Sequence, residues 1–498
     1  MIYQAAIRQH AIPIGRWVTL GLLGVLASLV LFAFGALGLV TLAAGAGVMA
    51  LVGVAAWRWP AWTAIFYAAF APVNRFVILT ILHFTGSDLL TKALELWKDG
   101  ILAILFARVI ADALTAKKAP RLRYLDLLVA SFLLLSAFYL FYPGPHNTDL
   151  FTRIQGFRTD ASFLLAYFIG RGLRLQRRHL RWLLLALIPG SLAVAAVAAW
   201  QVAAPAQANA FFSSLGLQGF NSLQGSIGPG TAVRTRGAGA FDIPRASSLQ
   251  LGDLALAFYQ VVLVSLAAAL LFHARSLRDR IAAGAFVTLM VATLAMTVTR
   301  SAMFAIAPVL MVMAAVARKF GRLLLVAGAC AIFAAAMVSF IGITSQSFDR
   351  FLVESSASSA GHVDAAVRSV ALIQEEPLGI GLGTAGTIGQ RYDRVDPLTN
   401  ENWYLQLATE MGLLGAAIYL AITLVTTAVC FLTYPTLKDP WTRALALGVG
   451  GASIGFLIVS NFLHAWENTV VSILFWLLAG IVVRSRQLEQ DASFGPAK

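Results

Sequence analysis

Leu249-Gln250-Leu251-Gly252-Asp253-Leu254-Ala255-Leu256-Ala257-Phe258-Tyr259-Gln260-Val261-Val262-Leu263-Val264-Ser265-Leu266-Ala267-Ala268-Ala269-Leu270-Leu271-Phe272 holds one charged side chain, and Arg275, Arg278 and Arg280 follow it at once. An apolar run of about 17 to 25 residues crosses a hydrocarbon core of about 30 Å as a helix. Arginines directly after such a run mark the end that stays in the cytoplasm. The same pattern recurs along all 498 residues, of which 59% are hydrophobic and 12% charged, with a mean hydropathy of +0.79. Soluble domains carry roughly 25% charged residues, so a soluble fold is excluded. Two cysteines, no Gly-X-Y period and no long polar tract also exclude disulfide scaffolds, collagen-like chains and disordered tails. Cys330 and Cys430 both lie in apolar runs, where inert thiols are expected.

The expected architecture is all-α, a polytopic bundle of fourteen spans. Their approximate limits are 17–35, 38–57, 60–84, 100–116, 124–142, 157–173, 180–203, 249–272, 281–299, 301–317, 321–343, 403–433, 442–462 and 468–483. Pro72, Asn74 and Arg75 interrupt the third. The first has no Ala-x-Ala site after it and reads as a retained anchor. Basic clusters alternate with these spans: Arg8 and Arg16, Arg58, Lys117–Arg123, Arg171–Arg181, Arg275–Arg280, Arg318–Arg322, Lys438 with Arg443, and Arg484–Lys498 all fall on one side. Both termini are therefore expected in the cytoplasm. The formal charge of +14 is a by-product of many basic inner loops and implies no nucleic-acid partner. Five parts follow: N-terminal helices 1–203, an outer loop 204–248, central helices 249–343, a large outer loop 344–402 and C-terminal helices 403–498. No internal repeat stands out.

Long outer loops without regular structure are usually functional, and four constellations lie on or beside them. Arg234-Thr235-Arg236-Gly237-Ala238-Gly239 puts two guanidinium groups beside glycines, a composition suited either to phosphate oxygens or to lipid headgroups. Thr299-Arg300-Ser301 is a charged interruption between two apolar runs, an interfacial anchor or a functional cation. In residues 361–386, Val363, Val367 and Val370 with Ala366 and Ala371 recur at helical spacing, so an amphipathic helix at the membrane interface is expected, ended by Pro377. Gly379, Gly381 and Gly383 then read as a flexible turn, and no Gly-Lys-Ser/Thr follows that would make it a nucleotide loop. Finally, Thr399-Asn400-Glu401-Asn402-Trp403-Tyr404-Leu405-Gln406-Leu407-Ala408-Thr409-Glu410-Met411-Gly412-Leu413-Leu414-Gly415 opens the twelfth span with polar groups that are costly unless they face a protein-lined or watery cavity. Glu401, near the positive end of that helix, suits either a reactive carboxylate or an N-terminal cap.

The run Glu401-Asn402-Trp403-Tyr404-Leu405 through Glu410-x-Gly412-x-x-Gly415 resembles the His-Asn-x-Tyr-Leu...Glu-x-Gly-x-x-Gly signature of the O-antigen ligase and O-antigen polymerase superfamily. Arg236 with Gly239, Phe241 and Pro244 is similar to its Arg-x-x-Gly-x-Phe-x-x-Pro block. Thr299-Arg300 is similar to its Thr-x-Ser-Arg block. Arg368 followed by Glu376-Pro377-Leu378-Gly379-Ile380-Gly381 is similar to its Arg...Pro-Leu-x-Gly-x-Gly block. These blocks occur in the family's order and span roughly residues 230–420. Glu401 stands where the family's ligases have histidine, which points away from a lipopolysaccharide ligase and toward a polysaccharide polymerase.

The resemblance implies a GT-C-like, bacterial inner-membrane glycosyltransferase with its site facing the periplasm. Its partners would be an undecaprenyl-diphosphate-linked oligosaccharide, an acceptor glycan, the lipid bilayer and other polysaccharide assembly proteins. A diphosphate leaves without general-acid help, so the need is for cations where charge develops. Arg236 and Arg300 are nominated to bind it, with Arg158 and Arg368 as second choices. Glu401 would deprotonate the acceptor hydroxyl, and Arg234, Asn402, Tyr404 and Gln406 would position the acceptor or the loop. No cofactor and no metal are expected: His146, His362 and His464, with Glu467 near the last, lack zinc-like spacing, and Arg391 and Arg394 oppose a cation at Asp393 and Asp396. Arg108 and Asp112 read as a structural pair on one helix face. Within the enzyme class the alternative is a ligase acting on lipid A core or protein. From a different class, a lipid-linked glycan transporter would concentrate its ionisable groups near the bilayer midplane, whereas here they gather at outer helix ends.

Overall fold

A computed structural model describes residues 50–85, 94–115, 122–145, 147–217, 243–328, 363–392 and 401–490, with the short pieces 220–221, 226–227 and 234–236 and the single residues Gly47 and Ala331. The expected first span, most of the second, the end of the eleventh, Cys330, His146, His362 and much of both outer loops lie outside these residues. In chain order the helices are α1 (Pro60–Phe70), α2 (Asn74–Thr85), α3 (Trp97–Thr115), α4 (Tyr124–Phe141), α5 (Leu150–Asp160), α6 (Leu165–Gly172), α7 (Arg177–Ala203), α8 (Asp253–His273), α9 (Leu277–Met296) and α10 (Arg300–Ala317). They continue with α11 (363–375), α12 (Gly386–Tyr392), α13 (Trp403–Thr433), α14 (Pro440–Val459) and α15 (Thr469–Gln490). The strands among the described residues form two small antiparallel ladders. One of them pairs Arg234–Arg236 with Ile243–Arg245, setting Arg234 opposite Arg245.

Among the described residues eight helices are long and apolar enough to cross a membrane, or nine if the bent pair α1–α2 is one span. Lipid serves an apolar helix surface as well as protein does, so burial and not hydropathy separates central from peripheral spans. The apolar stretches of α8 and α15 are 83% buried, whereas that of α9 is 28% buried. Leu134, Phe138 and Phe304 project outward from α4 and α10. The centre is α8 against α14, with α6 against α15 beside it. Without a hydrophobic drive between spans, close approach depends on small residues. Gly170 of α6 lies against the Leu477 carbonyl, and Gly480 of α15 lies reciprocally against that of Tyr167. An aromatic set ties three chain segments together: Trp466 stacks on Phe456 at 4.3 Å and faces Phe163, and Tyr419 lies 5.5 Å from Trp403. Arg108 and Asp112 make the expected pair at 3.1 Å.

Three expected spans are not single helices. The third bends by 79° between α1 and α2, where Pro72 lies in the joining turn. The sixth divides at Ala161 into α5 and α6, joined by a 3-10 turn over Ser162–Leu164, and Ser162 Oγ donates to the Arg158 carbonyl at 2.6 Å. The twelfth breaks at Met411 and Gly412, where Gly412 takes φ 71°. Irregular backbone at membrane depth is tolerated where protein or a watery cavity surrounds it.

Substituting Gly480 by leucine places a side chain on the Tyr167 carbonyl, and overpacking of this kind costs about 1–3 kcal/mol. A lower unfolding temperature in detergent is the expected outcome. An unchanged one would mean that α6 and α15 separate freely.

Candidate functional site

The break in α13 releases carbonyls that the helix would otherwise use, and a second segment takes them up. Ile380 N–H donates to the Thr409 carbonyl at 2.8 Å and Gly381 N–H to that of Glu410 at 3.0 Å, while Leu413 N–H reaches back to the Pro377 carbonyl at 3.4 Å. A Cβ on Gly379 would meet Gly412 N at 2.5 Å, and one on Gly412 would meet the Pro377 oxygen at 2.6 Å. The two glycine-containing blocks of the sequence are thus two halves of one backbone-to-backbone joint. The turn expected to be flexible is instead docked: Gly379, Gly381 and Gly383 all have positive φ, and Tyr139 Oη donates to the Leu378 carbonyl. Upstream, α11 buries Ala365, Ser369 and Ile373 and turns Val363, Val367 and Val370 outward, as an interfacial helix would.

Beside this joint lies a cavity of about 330 Å³, lined by residues from the bend at α2, the start of α3, the end of α5, the turn before α8, α12 and the turn before α15. Four cations line it: Arg75, Lys98, Arg158 and Arg391. Glu95, His464 and Glu467 share the wall with the neutral polar groups Asn74, Gln155, Gln250 and Asn468. Arg158 directs Nε and Nη2 to one Asp99 oxygen at 3.0 and 2.7 Å. Lys98 stands just before the expected crossing 100–116. Its ammonium is pushed down to about 8, first by loss of surrounding water and then by Arg158 and Arg75, against the opposing pull of Asp99 and Glu95.

Under the cavity sits a buried polar network. Gln406, fully enclosed, donates through Nε2 to Glu467 Oε1 at 2.7 Å and to Asp160 Oδ1 at 3.4 Å. Asp160 and Glu410 meet side chain to side chain, and Glu410 Oε1 accepts from Ala385 N–H at 3.0 Å. Glu467 Oε1 also accepts from Thr387 N–H at 3.1 Å, so the carboxylates of α13 and the α15 turn both tie down the start of α12. Glu467 Oε2 lies 3.7 Å from His464 Nε2. Among the described residues no three His, Cys, Asp or Glu side chains are placed to share a metal ion.

The nominated residues fall in different places. Arg158 lines the cavity and Gln406 lies beneath it. Asn402 caps α13, accepting from Tyr404 and Leu405 N–H at 2.9 and 3.0 Å, so the capping role open to Glu401 belongs to its neighbour. Glu401 precedes that cap, half-buried and outside the lining, and the partly buried Tyr404 is outside it too. Arg300 opens α10 and is likewise not in the lining. Arg368 pairs with Asp364 at 3.2 Å on the exposed face of α11. Arg234 and Arg236 are described in backbone only, as strand residues, so their expected contacts lie outside what is described. Sequence reasoning passed over Arg75, Lys98, Arg391, His464, Glu467 and Asp160. In the sequence Arg75 reads only as an interruption, Arg391 only as a charge opposing a cation at Asp393 and Asp396, and His464 with Glu467 only as a failed zinc spacing.

Residues 285–420 match the family described as O-Antigen ligase. The matched segment runs from within α9 through α10 and the docked turn to residue 420 of α13, and its family is one of membrane glycosyltransferases of the ligase and polymerase type. That family implies lipid-linked glycan substrates in a membrane. No curated protein matches the chain. The matched segment supplies Thr387, Ile388 and Arg391 to the cavity and Gln406 and Glu410 to the buried network beneath it; the other cations come from outside it.

Replacing Gly412 by alanine forces a Cβ into the left-handed region and onto the Pro377 oxygen. Hydrogen exchange at Ile380 and Gly381 should accelerate, since their amides donate into the α13 break. Unchanged protection at both would show that the joint does not depend on that glycine.

Proposed function

We propose that the chain is a polysaccharide polymerase that moves a glycan from undecaprenyl diphosphate to a hydroxyl of an acceptor glycan, inverting the anomeric centre without a metal. The observation that carries this reading is the convergence of Arg75, Lys98, Arg158 and Arg391 on one cavity, to which the O-antigen ligase segment contributes Thr387, Ile388 and Arg391. A diphosphate leaving group needs positive charge where its oxygens gain charge, and four cations around one cavity can supply it. Within the cavity Asn74, Gln155, Gln250 and Asn468 offer amides to sugar hydroxyls. Arg236, Arg300 and Arg368 belong to the donor side by the sequence pattern, as Arg234, Asn402, Tyr404 and Gln406 belong to positioning and Glu401 to the acceptor hydroxyl. The reading includes fourteen spans in a GT-C-like arrangement, the five-part division of the chain, both termini in the cytoplasm, and a site at the periplasmic face of the bacterial inner membrane. Glu401 in the histidine position favours polymerase over ligase.

The test uses the full-length protein in detergent with an undecaprenyl-diphosphate-linked repeat unit as donor and acceptor. A ladder of products should form without a membrane gradient; absence of any product beyond one unit would overturn polymerisation. Arg158→Ala should lower the rate by about a hundred- to thousandfold, corresponding to about 3–4 kcal/mol for one preorganised donor. A headgroup contact would cost about 1 kcal/mol or less.

Lys98 gives the pH dependence. Its cation is the useful form and is held below pH about 8, so transfer should decline as pH rises through that value. Lys98→Arg, which stays charged, should flatten the decline. An identical alkaline limb in the arginine variant would remove Lys98 from the donor site.

A further inference from the structure

We propose that His464, held against Glu467, takes the proton from the acceptor hydroxyl. The inference rests on the glycan-transfer reading and moves the proton-accepting role from Glu401, which stands outside the cavity lining, to His464, which is part of it. His464 and Glu467 both line the cation-bearing cavity and flank Trp466, the residue stacked into the aromatic set. The turn that carries them is fixed at several points: Ser472 Oγ donates to the Trp466 carbonyl at 2.7 Å, Asn402 Nδ2 to that of Asn461 at 2.9 Å, and Trp403 N–H to that of Ser460 at 2.9 Å. Glu467 in turn is immobilised through one oxygen, which accepts from Gln406 and Thr387. Its other oxygen is buried, has no hydrogen-bond partner among the described residues, and faces His464 Nε2 at 3.7 Å. His464 Nδ1 is buried and likewise without a protein partner among them. An imidazole oriented by a fixed carboxylate, with its second nitrogen uncommitted, is the arrangement of a general base, and such contacts are commonly long before substrate binds.

The competing groups are less well placed. Asp160 and Glu410 are enclosed beneath the cavity and absent from its lining, and Glu401 stands outside that lining. In the step itself, the acceptor oxygen forms a bond to the anomeric carbon as that carbon's bond to the diphosphate oxygen breaks. The bonding pair departs with the diphosphate, toward Arg158 and Lys98. The hydroxyl proton passes to the uncommitted ring nitrogen, and the imidazolium formed donates to Glu467. Loss of that proton to water resets the pair.

Azide separates this role from a structural one, because it is an anionic nucleophile with no proton to lose and can enter a cation-lined cavity. The experiment uses the full chain in detergent with the undecaprenyl-diphosphate-linked repeat unit and measures polymer, release of undecaprenyl diphosphate, and donor binding. His464→Gln is expected to lower polymer formation about a hundred- to ten-thousandfold, to retain donor binding, and to regain diphosphate release with azide, yielding glycosyl azide. Glu467→Gln, a positioning variant, should lower kcat with little change in KM, and Arg158→Ala should gain nothing from azide. Polymer formation by His464→Gln within a few-fold of wild type overturns the proposal. So does a His464→Gln enzyme that binds donor but gains nothing from azide, and so does recovery by azide in Glu401→Gln in its place. A wild-type protein that releases no undecaprenyl diphosphate with any acceptor overturns the transfer reading along with it.

Discussion

Backbone groups in a membrane protein must find partners, and the organisation of this chain follows from where its helices decline to continue. At Gly412 the twelfth expected span breaks, and the freed carbonyls of Thr409 and Glu410 are met by the amides of Ile380 and Gly381. An unmet buried backbone group costs several kcal/mol in hydrocarbon, so the break and the turn that fills it are stable only together. The turn then leads directly into Ala385 and Thr387, whose amides Glu410 and Glu467 accept. One local irregularity in α13 therefore sets the position of α12, of Arg391 on it, and of the two carboxylates beneath.

Two other interrupted spans contribute to the same cavity. The bend after α1 brings Asn74 and Arg75 to its wall, and the end of α5 brings Arg158. Continuous helices would have carried these side chains past one another toward lipid, at a cost of several kcal/mol each for a charge. Interrupted ones let polar side chains and uncommitted backbone converge while fully packed helices, α8, α14 and α15, hold the surroundings rigid. The aromatic set around Trp466 links the two regimes, since Phe163, Trp403 and Trp466 each lie within a few residues of a polar group at the site.

Much of this was legible in the sequence where the signal was local. Runs of apolar residues located the eight or nine described helices that are long and apolar enough to cross a membrane, the i,i+4 spacing of Arg108 and Asp112 announced their pair, and three of the four motif blocks fall within residues 285–420, which match the family they resemble. The meaning of two of those blocks was not legible, because Gly379 and Gly412 act on each other across more than thirty residues of chain. The cavity cations were hidden for the same reason. Arg75, Lys98 and Arg391 come from three separate segments, and nothing in their own neighbourhoods marks them as companions. Asn402 shows the limit of reading helix starts: Glu401 and Asn402 both suit a cap, and side-chain geometry decides for the asparagine.

Asp99 keeps Arg158 engaged at 2.7 Å. On the proposed reading, an incoming diphosphate shares or contests this guanidinium with a resident carboxylate, which reclaims it when the anion leaves. Under that reading the built-in competitor tempers the grip on spent carrier, and a partly satisfied guanidinium favours turnover over tightness.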